Sequence, residues 1–371
     1  MRIAFDEQAF QLQIYGGISR YIVRIAEELG RSGETVAVFA PLHRNQHLRQ
    51  ATGLVRKGFR LPGYPPKTGR AIFRLNRLIN GFRIPAWRPD VIHETFYSAV
   101  PLGGRRVPTV LTVHDMIYER YPELFPDGGR GGRQKLAAIA RADRIICVSE
   151  STRRDLCSMT DVPAEKTVVV HHGVDLPDPS EGVQVGESNQ GRPFLLYVGL
   201  RGGYKNFEGL LRGIGSSPRL SGDCEIVVFG GPALSRADYE AAAAAGISEK
   251  SLRHAGREES TLNRLYREAA AFVYPSLYEG FGMPPLEAMA HGCPVVCSHH
   301  ASLPEVVGDA AETFDGGSPD DIGSAIERVV YSAHRRGELI AAGHRRAATF
   351  SWQRCARETR DVYSTVTGAG R

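Results

Sequence analysis

Two successive series of apolar runs alternating with helical patterns constrain this chain more than any other feature. Residues 2–5, 36–39, 91–92, 110–113, 145–148 and 168–170 form the first series, interleaved with helical stretches such as 19–30 and 133–141. Strands covered on both faces read as short unbroken apolar runs, and parallel neighbours require a crossover helix between them. A second series occupies 194–198, 226–229, 271–274 and 294–297. Between the two, residues 176–192 turn to Asp, Pro, Ser, Gly and Gln with no apolar period, which predicts a linker. The expectation is an α/β protein with two parallel sheets. A length of 371 residues, 42% of them hydrophobic, suffices for two cores.

Charge is placed unevenly. Residues 41–89 hold eleven Lys or Arg and no acid, whereas the whole chain carries only +5. Within this segment Ala71, Ile72, Leu75, Leu78, Ile79 and Phe82 form an apolar helical stripe, with Arg70, Arg74 and Arg77 on another side. Such a helix suits an anionic membrane surface or the pyrophosphate of a lipid-linked acceptor, and equally a core-facing helix with solvated arginines. No nucleic-acid-binding motif or aromatic interleaving accompanies the charge, so nucleic acid is not expected as a partner. No run is long enough to span a membrane, and residues 1–5 enter a strand directly, so a cytoplasmic protein, peripheral on the membrane at most, is expected. The six cysteines show no zinc-ligand pairing and are expected to be reduced.

The chemistry concentrates at Glu279-Gly280-Phe281-Gly282-Met283-Pro284-Pro285-Leu286-Glu287. An apolar strand ends at Pro275-Ser276, and the two prolines sit where a first helical turn tolerates a missing N–H, predicting a helix from Leu286 to about His291. Gly280 and Gly282 permit unusual backbone angles and close approach of N–H groups to an anion, and the helix N-terminus adds partial positive charge, as a diphosphate requires. Glu287 is then placed for ribose hydroxyls and Glu279 for a sugar. Alternatively Glu287 merely favours the helix dipole and Glu279 is a solvated loop acid.

This stretch and its continuation through 288–296 and 302–311 resemble the family 4 glycosyltransferases, and the likeness extends over nearly the whole chain. It is carried in order by Tyr15-Gly16-Gly17-Ile18-Ser19-Arg20, Thr112-Val113-His114-Asp115, Val148-Ser149-Glu150-Ser151-Thr152, His172-Gly173-Val174-Asp175, Tyr197-Val198-Gly199 and Lys205-Asn206. The resemblance implies the GT-B fold, two Rossmann-like domains with parallel sheets facing a cleft. An acceptor-side domain over 1–175, completed by a C-terminal helix over about 352–371, would be followed by the linker 176–192 and a nucleotide-sugar-binding domain over 193–351.

The resemblance further implies a retaining transfer from a nucleotide-sugar donor to a glycan or lipid-linked acceptor. Catalytic roles fall to His114, Lys205, Glu279 and Arg201, and donor contacts to Gly16, Gly17, Gly280, Phe281, Gly282 and Glu287. Arg201 stands one residue later than the family's usual arginine, Leu200 taking its place, which makes Lys205 the firmer assignment. No Asp-x-Asp lies at a strand end, so neither a metal nor another cofactor is expected, and Lys205 with the helix terminus would balance the diphosphate. His171-His172 is read as loop chemistry. The pattern looks most like transferases of mannose or deoxyhexoses such as rhamnose from GDP-sugars in surface polysaccharide synthesis, O-antigen included. A sugar-nucleotide epimerase on the same fold and a non-catalytic glycan- or lipid-binding partner remain the alternatives.

Overall fold

The computed structural model describes residues 1–102, 107–125, 130–177, 192–256 and 258–368, without the side chains of Arg130 and Glu259. By internal contacts it divides into one unit of Met1–Gly173 with Ser351–Arg371, and a second of Val174–Phe350. The expected linker falls, except for its ends, outside the described residues.

In the first unit the strands are β1 (Arg2–Phe5), β2 (Thr35–Val38), β3 (Leu42–His43), β4 (Val55–Arg56), β5 (Phe59–Arg60), β6 (Val91–Glu94), β7 (Thr109–Val113), β8 (Arg144–Cys147) and β9 (Thr167–Val169). Seven of them form one parallel sheet in the order β4-β2-β1-β6-β7-β8-β9, and β3 pairs separately with β5. Central strands bury nearly every residue, His93 and Glu94 of β6 included, as strands covered on both faces must. The C-terminal helix Trp352–Thr367 belongs to this unit. A buried hydrogen-bond chain holds it there: Tyr363 Oη lies 2.6 Å from His93 Nδ1, His93 Nε2 2.9 Å from Thr112 Oγ1, and Thr112 Oγ1 3.1 Å from Tyr21 Oη. Burial drives the His93 pKa down to about 3, so the link is made by a neutral ring.

The second unit contains β10 (Phe194–Val198), β11 (Glu225–Phe229), β12 (Leu252–His254), β13 (Ala271–Tyr274), β14 (Val295–Ser298) and β15 (Glu312–Phe314), all parallel in the order β12-β11-β10-β13-β14-β15. The helices Phe207–Gly215 and Pro319–Val330 pack apolar faces on this sheet through Leu210, Ile214, Ile322 and Ile326.

The basic segment folds differently from its amphipathic reading. Its helix, Gly69–Trp87, turns Asn76, Arg77 and Asn80 inward with Ile72 and Ile84, and leaves Leu75, Leu78 and Phe82 44%, 61% and 72% exposed. Arg77 is therefore not a surface cation. It lies among three carboxylates at the ends of β1 and β6, with Nη1 3.5 Å from Asp6 and 3.7 Å from Glu7, and Nη2 4.0 Å from Glu94, which also binds Arg141. Burial, then the neighbouring Asp6 charge, pushes both Glu7 and Glu94 up to about 7, so the group retains a proton below that pH. Asn76 donates to the Leu42 carbonyl at 2.8 Å and accepts from its N–H at 2.9 Å, while Asn80 donates to the Phe39 carbonyl at 2.9 Å. Inward polar side chains thus satisfy backbone groups that the turn after β2 leaves buried.

Replacing Arg77 by Ala strands buried carboxylates and should cost about 3 to 5 kcal/mol. Arg74→Ala, on the exposed face, should stay within about 0.5 kcal/mol. Chemical denaturation of both variants, followed by fluorescence, checks the difference.

Candidate functional site

Parallel strands deliver their following loops to one edge of a sheet, and the second unit uses that edge to bring distant residues together. After β10, a single 3₁₀ turn at Gly203–Lys205 ends at Asn206 in the left-handed conformation, φ 54°. Asn206 fixes this loop by donating to the carbonyls of Pro275, after β13, at 3.1 Å and of Gly316, after β15, at 2.8 Å. Lys205 Nζ consequently reaches Glu279 Oε1 at 2.7 Å and Tyr274 Oη at 3.4 Å, and it lies over the rings of Tyr204 and Tyr274. Both partners of this ion pair are largely shielded, the side chains 17% and 12% exposed. A cation and a carboxylate so arranged offer one group for a diphosphate and one for hydroxyls.

The helix that follows begins earlier than the prolines suggest, running Met283–Ala290 with Gly282 as its N-cap. Pro284 and Pro285 occupy its first turn, where missing N–H groups cost nothing. Glu287 therefore lies in the second turn, removed from the terminal dipole, and its carboxylate accepts from Tyr266 Oη at 3.3 Å. Gly282 sits at φ 117°, and an added Cβ there would stand 2.9 Å from Leu303 Cδ2. Ser302, fully buried, donates to the carbonyls of Glu279 at 2.8 Å and Phe281 at 2.6 Å, so the loop after β14 braces the turn. The Phe281 ring is buried edge-on against Phe350, so its side chain serves packing.

Arg201 is drawn away from Lys205. Its Nε lies 3.1 Å from Asp238 Oδ1, and Nη2 donates to the carbonyls of Pro232 and Ala233 at 2.8 and 2.9 Å. These bonds tie the loop after β10 to the loop after β11 and leave only Nη1 without a partner among the described residues.

In the first unit, Gly16 caps the helix Gly17–Arg31, its carbonyl accepting from Arg20 N at 3.0 Å and Ser19 Oγ at 3.1 Å. Gln13 completes the cap by accepting from the Ser19 N–H at 3.0 Å. His114 follows β7 and is buried, its ring edge-on to Tyr21 and stacked with His172 at 6.0 Å. Burial first, then the charge of Lys135, lowers the His114 pKa to about 3, and its Nε2 has no partner among the described residues. A neutral imidazole with a bare ring nitrogen suits hydrogen bonding to a ligand hydroxyl, not general-base work near neutral pH.

Sequence reasoning singled out Lys205, Glu279, Glu287 and His114, and missed the residues that hold them. Tyr274, Tyr266 and Ser302 read as ordinary strand, helix and loop residues. His172, set aside as loop chemistry, is a buried stacking partner of His114. Only Asn206, adjacent to Lys205, carried a local signal.

A family model described as Glycosyltransferase Family 4 matches residues 15–177, and one described as Glycosyl transferases group 1 matches residues 181–346. O-antigen chain mannosyltransferase B of Escherichia coli is 33% identical over 275 residues, covering 71% of this chain and 72% of that protein. A D-inositol 3-phosphate glycosyltransferase of Nocardioides sp. is 26% identical, with coverage of 94% and 85%. Among solved structures, Anabaena HepE in complex with UDP-glucose superposes with a TM-score of 0.75 at 18% identity, covering 98% of this chain and 100% of that one.

Gly282→Ala should be destabilising by about 1 to 3 kcal/mol through its forced backbone angle and the Leu303 contact. Gly17→Ala meets no atom within 4 Å and should leave stability near that of the parent. Thermal unfolding of the two variants side by side checks this.

Proposed function

The chain belongs to the family 4 glycosyltransferases, with the GT-B fold, and from that premise we propose that it transfers mannose, or a deoxyhexose such as rhamnose, from a GDP-sugar. The acceptor is a glycan or lipid-linked saccharide of bacterial surface polysaccharide, in the manner of O-antigen synthesis. The observation that carries the reading is the Lys205–Glu279 pair at 2.7 Å beside the glycine-capped helix Met283–Ala290. Likeness to a curated O-antigen mannosyltransferase along 71% of the chain supports the choice of sugar and acceptor class.

In this mechanism the donor diphosphate takes Lys205 and backbone N–H groups of the glycine turn that leads into the helix, whose fixed positive potential stabilises charge as the sugar–phosphate C–O bond breaks. No metal is needed for that charge. Glu279 receives hydroxyls of the transferred sugar, and Glu287, oriented by Tyr266, those of the ribose. His114 stays uncharged, so its ring is suited to hydrogen bonding with a hydroxyl and not to acting as a base. The acceptor hydroxyl attacks the anomeric carbon on the face the nucleotide leaves, a donor phosphate oxygen takes its proton, and the α configuration is retained. Arg201 acts from behind, holding the loop that carries Lys205.

Thermal-shift titration with GDP, UDP and ADP tests the base, GDP being expected to raise the melting temperature most by mass action. Lys205→Ala should lower kcat by about 10² or more with folding intact. Near-normal turnover at saturating donor would remove Lys205 from the mechanism, and preferential stabilisation by UDP would overturn the donor assignment alone.

The same reading places the protein at the cytoplasmic face of an anionic membrane. No described helix is long and apolar enough to cross one. The helix Gly69–Trp87 presents Leu75, Leu78 and Phe82 outward with Arg70 and Arg74 also exposed, on a segment of eleven basic residues and no acid. Apolar insertion with flanking cations is the chemistry of an interfacial helix. Changing Leu75, Leu78 and Phe82 to Ser should abolish co-sedimentation with phosphatidylglycerol vesicles. Arg70→Gln with Arg74→Gln should weaken it by about 1 kcal/mol per charge. Undiminished sedimentation of the triple Ser variant would remove this helix as the membrane contact, while transfer to a short soluble acceptor should persist in every variant.

A further inference from the structure

Among the described residues, one group outside the proposed reaction brings together the donor set of a transition-metal site: His299, His300 and Asp315, whose ligating atoms all lie within 4.8 Å of one another. We infer that these three side chains bind a divalent ion of the zinc type, and that the ion braces the loop supporting the Glu279 turn.

The placement follows from the sheet. β14 and β15 pair in parallel with Ser298 opposite Phe314, so the residues just beyond their ends emerge side by side. The His299 N–H donates to the Phe314 carbonyl at 3.0 Å, which holds the two loops together at the point of exit. Ala301 then adopts a left-handed φ of 53°, turning the chain back so that both imidazoles project from one short loop, their rings stacked at 4.8 Å. Asp315 is set by its own turn, with Oδ1 accepting from the Gly317 N–H at 2.9 Å.

His300 Nε2 lies 3.7 Å from Asp315 Oδ1. Two ligands of a tetrahedral zinc ion stand about 3.3 Å apart, given metal–ligand lengths near 2.0 to 2.1 Å. That pair is thus nearly at coordination distance, and the exposed His299 ring brings its ligating atom within 4.8 Å of both. Two imidazoles with one carboxylate favour Zn²⁺ and similar ions over Mg²⁺ or Ca²⁺, which prefer oxygen donors. One coordination position remains for solvent.

The ion would act on structure and take no part in the transfer. Two residues after His300, Ser302 makes the hydrogen bonds to the carbonyls of Glu279 and Phe281 that shape the donor turn. An ion bridging 299–300 to 315 ties that loop to the end of β15 and restrains Ser302. The inference does not depend on the sugar or nucleotide transferred.

Tag-free protein stripped with a chelator and titrated calorimetrically with ZnCl₂ tests it. One equivalent should bind, and the melting temperature should rise with added ion by mass action. His299→Ala with His300→Ala should weaken that binding by about tenfold or more and abolish the thermal shift, and Asp315→Asn should weaken it, since each removes a ligand. His334→Ala with His344→Ala, elsewhere on the surface, should change neither. Absence of a one-equivalent site in the parent, or its survival in the His299/His300 variant, would overturn the proposal.

Discussion

Parallel strand pairing is the constraint on which the rest depends. In register, β10, β13, β14 and β15 end at a common edge, so residues separated by up to 110 positions meet there without any being adjacent in sequence. Lys205, Glu279, Ser302 and Asp315 each belong to a loop leaving that edge. Hydrogen bonds between those loops hold irregular backbone where the sheet's own ladder has stopped, and Asn206 and Ser302 do most of this with side-chain groups directed at carbonyls. A loop edge held in this way can present a cation and a carboxylate in contact with little further reorganisation on binding.

The first unit solves a different problem at the corresponding edge of its own sheet. Three carboxyl groups emerge at the ends of β1 and β6 and are covered by a helix, so they must be neutralised from above. Arg77 supplies that charge, and with Asn76 and Asn80 it makes the inward face of the helix polar. Leu75, Leu78 and Phe82 are displaced outward as a consequence, while Ile72 and Ile84 stay buried. A helical period reports that a helix has two faces, but the surface it packs against decides which one is buried, and here that surface is charged.

Electrostatics separates residues that look alike in sequence. Arg201 and Lys205 follow the same strand and both carry a fixed charge, yet Asp238 and two carbonyls occupy Arg201 while Lys205 faces Glu279. His93 and His114 are both driven by burial to the neutral ring, but His93 has Tyr363 and Thr112 on its two nitrogens and His114 keeps one nitrogen bare. The first pair of bonds makes a structural link, which His114 lacks on that nitrogen.

The sequence by itself determined the class of fold and the region of the chemistry. Central strands such as β10 and β13 are apolar throughout because both faces are covered, and that signal is local. The edge strands β4, β12 and β15 escaped notice because a strand with one neighbour needs few apolar residues, and these carry arginine, glutamate and histidine. The glycine-proline run from Glu279 to Glu287 was legible because backbone angles and missing N–H groups are properties of residue type. Only the tertiary structure decided that Arg77 faces inward, that Arg201 is a tether, and that Ser302 and Tyr266 position the two glutamates. Those roles arise from through-space distances between loops of different strands, which no periodicity along the chain records.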